Sequence, residues 1–470
     1  MAQPPRDPSP RDPALEDAQG WRQLGLEHRD RQRMVEASTA LARAAALAPH
    51  DLTIAWEHAE VRFASGLPAA DVLFRLHRQV GHLAALQLTA AALHAEGRGA
   101  AAEALLEAAL NVRPDWLDGH RSLSELRWKS GQGAESARSY AAAIRAQPRN
   151  SALHLAWFYT LAMVRDWATA RRILDAGERI LGGAPFTLAR LYVASESGDA
   201  SQAEALIERC AAVDDAGLDV CRIRHFLRTR QLAKAEVVAL RLSRSASGRL
   251  AWPYLSLIWR LQGQPHGEDR AQWLDGSPPY VRSFDLGLTT GELAELAALL
   301  RSLHTDHAPH LEQSVRGGTQ TDRPLFLRHE PIIQLTKQRI LGAIAAYVDA
   351  LPARDAAHPL LGPARGDILF EGSWSVRLAG GGFHVSHIHP RGWISSAFYV
   401  SLPNGGLGEA PAGWLVFGAP PPELGLELEP YLRVEPRPGR LVLFPSTMWH
   451  ATLPFATGER LVIAFDVRGT

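Results

Sequence analysis

The sequence predicts a multidomain α and β protein: an N-terminal α-helical solenoid, then a C-terminal double-stranded β-helix of the jelly-roll or cupin-like kind with supporting helices. Three observations carry this. Text rich in Ala, Leu, Arg and Glu, with a period near 34 residues, runs to about Gln264. Short apolar runs separated by Gly and Pro fill the segment after Asp367. Three histidines and an arginine stand inside that second segment at spacings that suit a metal site within a barrel.

Composition narrows the functional classes. A chain of 470 residues has room for two or three domains of ~150 residues each. Hydrophobic residues at 46% and charged residues at 21% suit a globular protein with a real core. Lys plus Arg and Asp plus Glu balance at 50 each, which argues against nucleic acid or an anionic membrane surface as partner. Cys210 and Cys221 are too few for a disulfide framework or a thiolate zinc site, so a reduced, cytoplasmic setting is expected. The opening residues Met1 to Pro8 lack the basic and apolar blocks of a secretory signal, and no apolar run approaches the ~20 residues of a membrane span.

Residues 1–20, rich in Pro, Asp and Arg, read as a disordered tail. Residues 21–264 form the repeat region. Gly97 and Gly131 are 34 residues apart, as are Pro114 and Pro148, and Ala100, Ala134 and Ala168 keep the same step. Leu105, Leu106, Ala109 and Leu110 lie on one helical face, and each Pro stands where a helix must stop. Helix, small-residue turn, helix and Pro at this period resemble the tetratricopeptide repeat family, faintly over residues 50–95 and after 200. The resemblance implies stacked helix pairs whose surface binds a protein or peptide partner or substrate. An irregular helical bundle is the plainer alternative. Residues 265–279 turn to Gly, Pro, Asp and His and read as a linker.

Residues 280–470 form the second domain. Leu293 to Leu303 and Glu330 to Leu351 read as helices. Strands follow at 368–370, 374–378, 396–400, 414–417, 440–444 and 461–465. Residues i and i+2 of a strand share a face, so His387 and His389 can point into the barrel together, and His450 can meet them from another strand. Three imidazoles with open positions suit a catalytic metal. Arg460, ten residues after His450, can hold a carboxylate some distance from that metal. A co-substrate that chelates metal at one end and carries a carboxylate at the other fits: 2-oxoglutarate.

This constellation resembles the iron(II)- and 2-oxoglutarate-dependent oxygenases, and more closely the bacterial ones with tetratricopeptide repeats ahead of the barrel. The matching text is Arg316 to Thr321, Gly372 to Val376, His387 to Ser396, and Pro438 to Pro445 leading to His450 and Arg460. The resemblance implies Fe(II), 2-oxoglutarate and O₂ as reactants, with oxidative decarboxylation coupled to hydroxylation. The superfamily usually places Asp or Glu two residues after the first His, where this chain has His389. Either all three His bind metal, or His387 and His450 bind alone with His389 behind them or against substrate. Halogenating relatives also lack the carboxylate. Aspartyl/asparaginyl β-hydroxylases are similar in pairing repeats with an oxygenase, which makes a peptide the first substrate to consider.

Other residues carry two readings each. Tyr399 is a hydrogen-bond donor to 2-oxoglutarate or a core aromatic. Trp393 is packing or lines the substrate mouth, and Trp414 and Trp449 are packing. Arg391 is a solvated charge, and Arg316 to Thr321 is a loop closing over the site or an ordinary surface loop. His384, three residues before His387, is expected on the opposite strand face. Two other classes compete: a repeat scaffold whose barrel is inactive, and a three-His cupin-type enzyme that does not use 2-oxoglutarate. The second of these has no need of Arg460.

Overall fold

The computed structural model describes residues 17–263, 266–311 and 313–469. Residues 1–16 of the expected tail lie outside them. Residues 18–20, expected within that tail, instead open a helix at Ala18, with the Asp17 side chain accepting from the Gly20 N–H.

Eight helix pairs follow one another: Ala18–Asp30 with Met34–Leu47, Leu52–Ala64 with Ala70–Val80, Leu83–Ala95 with Gly99–Val112, and Leu117–Lys129 with Ser139–Ala146. Then come Ser151–Met163 with Trp167–Leu181, Thr187–Ser197 with Ala200–Arg209, Ala216–Arg228 with Leu232–Ser243, and Trp252–Gln262 with His266–Asp275. The turn inside each pair contains a residue in the left-handed region: Gln32, Gly66, Gly97, Gly131, Arg165, Gly198, Arg230 and Gly263, with φ between 58° and 85°, joined in the fourth turn by Gly133. The repeat is therefore regular through residues 50–95 and after 200, where the sequence signal fades. Asp51, Asn150, Asp166, Asp199 and Asp215 cap later helices through their side chains.

The stretch 265–279 is not a linker. It holds helix His266–Asp275, the second helix of the eighth pair, with Gly267 inside it and Gly276, Pro278 and Pro279 in the loop after. The compact units also differ from the expected division at 264. One comprises residues up to Ala109 with Asp322–Leu335, the other Leu110–Thr321 with Thr336–Thr470. In the first unit Met34, Ala37, Leu41 and Val61 form a small core of neighbouring helices.

The second unit holds a nine-stranded sheet among its described residues: β1 (Arg282–Asp285), β2 (Val315–Gln320), β3 (Ile368–His387), β4 (Ile394–Ser401), β5 (Leu415–Phe417), β6 (Leu432–Val434), β7 (Arg440–Pro445), β8 (His450–Thr452) and β9 (Glu459–Gly469). The order is β1-β7-β4-β9-β3-β8-β5-β6, with β2 on β3, and every pairing is antiparallel. The expected strands 368–370 and 374–378 are parts of β3, which pairs with β9 in its first half and with β8 at its end. This curled antiparallel sheet is the expected double-stranded β-helix. Helix Thr290–Leu303 supports it, opened by a capping box of Thr289 and Glu292.

The last repeats and the barrel share one core within this unit. Ile223, Leu227, Ala239, Leu255 and Ile258 pack with Leu424 and Trp449 of the barrel, and Ile388 lies against the same cluster. Trp449 Nε1 donates to Pro253 O at 2.9 Å, and its ring meets Tyr254 edge-on at 5.6 Å. Arg165 pairs with Glu423, Arg230 donates to Gly425 O at 3.0 Å, and Arg260 reaches Gly418 O while lying over the Tyr431 ring.

Asp275 closes the eighth pair and is buried, accepting a 2.6 Å hydrogen bond from Ser256 Oγ. Burial pushes its carboxyl up to about 6. The folded state thus holds this proton more tightly than the unfolded chain. The associated stability is present below the ordinary Asp pKa and is lost as pH rises through about 6. Asp275→Asn, which cannot titrate, should gain on the wild type by up to about 3 kcal/mol between pH 4 and pH 8. Urea melts at both pH values check this, and a pH-independent difference would refute it.

Candidate metal centre

The end of β3, the loop after it and the start of β8 bring three imidazoles together. His387 is the register partner of His450, and their ring centroids are 4.2 Å apart. His389 follows two residues after His387, its ring 5.0 Å from His387 and 5.2 Å from His450. One ring nitrogen of each lies within 4.8 Å of the other two. The alternation of an extended chain sets this up: Ile388, between the two histidines, packs against the repeat core, and so does Trp449, just before His450.

Each ring is held by its Nδ1. His387 Nδ1 donates to Val385 O at 2.8 Å, His450 Nδ1 to Met448 O at 3.0 Å, and His389 Nδ1 to Asp466 Oδ2 at 2.8 Å. Carbonyl and carboxylate oxygens only accept, so each proton sits on Nδ1 and each Nε2 keeps its lone pair. Electrostatics agree for two of them. Burial and the neighbouring His389 hold His387 down to about 3, and burial and His387 hold His450 well below the usual imidazole value. Burial opposes charge on His389 as well, but Asp466 outweighs it and raises that pKa. Three buried, oriented lone pairs on one cavity are a donor set that fits a divalent transition metal.

Sequence reasoning missed Asp466. Its Oδ1 accepts from Ser395 Oγ, which in turn accepts from Ser446 Oγ at 2.8 Å. The signal was available, for Asp466 is a lone carboxylate in the apolar strand 461–467. Trp374 stacks on His389 at 5.6 Å, and Phe444 lies 4.7 Å from His450.

His384 is not on the opposite face. A bulge between His384 and His387 shifts the register, and His384 lines the same cavity as the three clustered histidines. Ser314 Oγ bridges the two, 3.0 Å from His384 Nδ1 and 3.2 Å from His387 Nε2. Ser314 leads into β2, which is a strand where a loop was expected. Gly317, at φ 71°, lets β2 pass Gly382 at a bulge, where an added Cβ would come within 3.0 Å of the Gly382 Cα.

Arg460 lines the cavity beside the histidines and is only 2% exposed. It forms no ion pair among the described residues, and its Nε is buried without a hydrogen bond. Its guanidinium lies 5.0 Å over the Tyr399 ring. Tyr399 belongs to the core with Phe417 and Phe444, and its buried hydroxyl sits beside the same guanidinium. A buried cation with no counter-ion is costly, and a carboxylate in the cavity would offset that cost.

The remaining aromatics and charges take their plainer readings. Trp393 donates to Leu360 O at 2.8 Å inside the core, and Arg391 is exposed and pairs with Glu371 at 2.8 Å.

Residues 372–466 match the family described as "Putative 2OG-Fe(II) oxygenase". Among solved structures, a collagen prolyl hydroxylase of Paramecium Bursaria Chlorella virus-1 is 16% identical. It covers 41% of this chain and 98% of its own, at a TM-score of 0.28. A Pseudomonas putida prolyl-4-hydroxylase is 20% identical over 40% of this chain and 92% of its own, at 0.28. A tetratricopeptide repeat protein from Parabacteroides merdae is 14% identical over 51% of this chain and 98% of its own, at 0.32. No curated protein matches. No helix among the described residues is long and apolar enough to cross a membrane.

Asp466→Asn should lower Co(II) affinity about 10–100-fold, because an amide orients His389 without raising its basicity. His450→Ala should abolish tight binding. Competition against a coloured chelator reads both, and wild-type affinity in Asp466→Asn would remove Asp466 from the site.

Proposed function

We propose that this chain, whose residues 372–466 match the 2OG-Fe(II) oxygenase family, is an iron(II)- and 2-oxoglutarate-dependent dioxygenase that hydroxylates a protein or peptide. The observation that carries this reading is the unpaired, buried Arg460 on the same cavity as His387, His389 and His450. A site that only held metal would have no use for that cation. Neither would an inactive scaffold.

In this reading Nε2 of His387, His389 and His450 would hold the iron. When bound, the iron supplies the redox chemistry that couples decarboxylation of 2-oxoglutarate, giving succinate and CO₂, to transfer of an oxygen atom from O₂ to substrate. The chain's own residues bind and orient. Arg460 takes the distal carboxylate of 2-oxoglutarate, a charge-assisted contact made stronger by burial. Tyr399, under the guanidinium, has its hydroxyl beside Arg460, where it can join the same carboxylate. Asp466 gives back, one hydrogen bond out, the negative charge that an Asp or Glu at position 389 would have supplied directly. Phe444, Leu415, Val462 and Ala464 line the rest of the cavity and keep it dry. The repeats supply a surface for the partner or substrate protein.

Arg460→Ala should weaken 2-oxoglutarate binding by about 30-fold or more, from about 2 kcal/mol for a buried charged hydrogen bond, and change metal affinity far less. Calorimetry on Zn(II)-loaded protein measures both. Without oxygen, Fe(II) and 2-oxoglutarate should together give the visible absorption of a chelate. Iron binding without that band, and an Arg460→Ala variant indifferent to 2-oxoglutarate, would favour a three-His enzyme that acts directly on its substrate.

A further inference from the structure

A second, larger cleft of about 770 Å³ shares Gln313, Ser314, Trp374, His387 and His389 with the histidine cavity. Its size is that of a ligand site. Its far wall comes from the repeats: Arg165, Trp167, Tyr192 and Glu196. The rings of Trp167 and Tyr192 meet edge-on at 6.0 Å. Whatever reaches the histidines through this cleft touches both the barrel and the repeat helices.

Most charges on its walls are neutralised in place. Glu196 pairs with Arg224, Glu371 with Arg391, Asp466 with His389, and Arg165 with Glu423. Arg316 is the exception. It donates to Gln313 O and Val315 O, both at 2.8 Å, and has no carboxylate partner among the described residues. Partial burial and the nearby Arg165 both disfavour its charge, and Glu423 only partly offsets them. An anion arriving beside Arg316 would relieve this imbalance.

We propose that the cleft between the repeat helices and the barrel is the substrate site, and that Arg316 there receives an Asp or Glu side chain of a polypeptide. This rests on the oxygenase reading above. An aromatic pair, one uncompensated cation and the amide of Gln320 spread along one cleft suit successive side chains of an extended peptide. They suit a compact metabolite less well. The carboxylate at Arg316 would fix which neighbouring residue faces the histidines, so that acidic residues near the modified position determine specificity.

The test uses full-length protein loaded with Zn(II), with and without 2-oxoglutarate, on an array of random octapeptides acetylated and amidated at their ends. Only side chains then carry carboxylates. Bound peptides should be enriched in Asp or Glu at one fixed position. Arg316→Gln should lose that enrichment and bind the best peptides at least about tenfold more weakly. Arg316→Lys should retain part of both. Trp167→Ala should weaken the same peptides while keeping their acidic preference, which separates the repeat wall from Arg316. Thermal melts by circular dichroism check that each variant is folded. Peptides bound without acidic preference, an unchanged preference in Arg316→Gln, or a silent array beside tight binding of free N-acetylglutamate amide would each overturn the proposal. Failure of the Zn(II)-loaded protein to bind 2-oxoglutarate would instead defeat the oxygenase reading, whatever the array shows.

Discussion

The centre depends on strand alternation being pinned from behind. In His387-Ile388-His389 and in Trp449-His450, the histidines face the cavity while Ile388 and Trp449 are seated in the core of the last repeats. A one-residue slip would turn every histidine away from its partners. Trp449 makes such a slip costly, because its indole N–H is committed to Pro253 O and its ring to Tyr254. The repeats are therefore part of the scaffold of the centre. This is also why the division expected at residue 264 does not match the compact units: the helices of the seventh and eighth pairs are the surface on which the ligand strands are laid.

The charge of the site is arranged in layers. Four imidazoles and a guanidinium border one cavity, with Asp466 the carboxylate held against them through His389. Protonation of His387 and His450 is disfavoured by burial and by their neighbours, which leaves their lone pairs on the cavity side and their protons on the backbone carbonyls, while His389 is held through Asp466. Such an arrangement suits a cation among the imidazoles and an anion at Arg460, a short way apart on one wall.

Much of this was legible in the sequence because the relevant signals are local. A step of two from His387 to His389, and of ten from His450 to Arg460, is enough to suggest one face and one strand. What was not legible depended on contacts distant in the chain. Asp466 is a lone acid in an apolar strand, but its partner emerges only when β9 is laid beside β4 and the loop carrying His389. His384 shares the cavity only because a bulge breaks the strict alternation. The strand at 315–320 was hidden by its two glycines, residues that a strand tolerates only where another backbone passes closely. Three turns use Gln32, Arg165 or Arg230 in place of glycine, and there the left-handed conformation leaves no mark on the sequence.

Those exceptions have a meaning of their own. A left-handed arginine costs roughly 1–2 kcal/mol that glycine would avoid. Arg165 and Arg230 bear that strain at equivalent turns, and both reach the same short barrel segment, Glu423 to Gly425. The turn is the one slot of each repeat that can change without disturbing a helix face. A modular array thereby acquires individual addresses: two of its otherwise interchangeable units are marked, in strained backbone, as the ones that must sit beside this barrel.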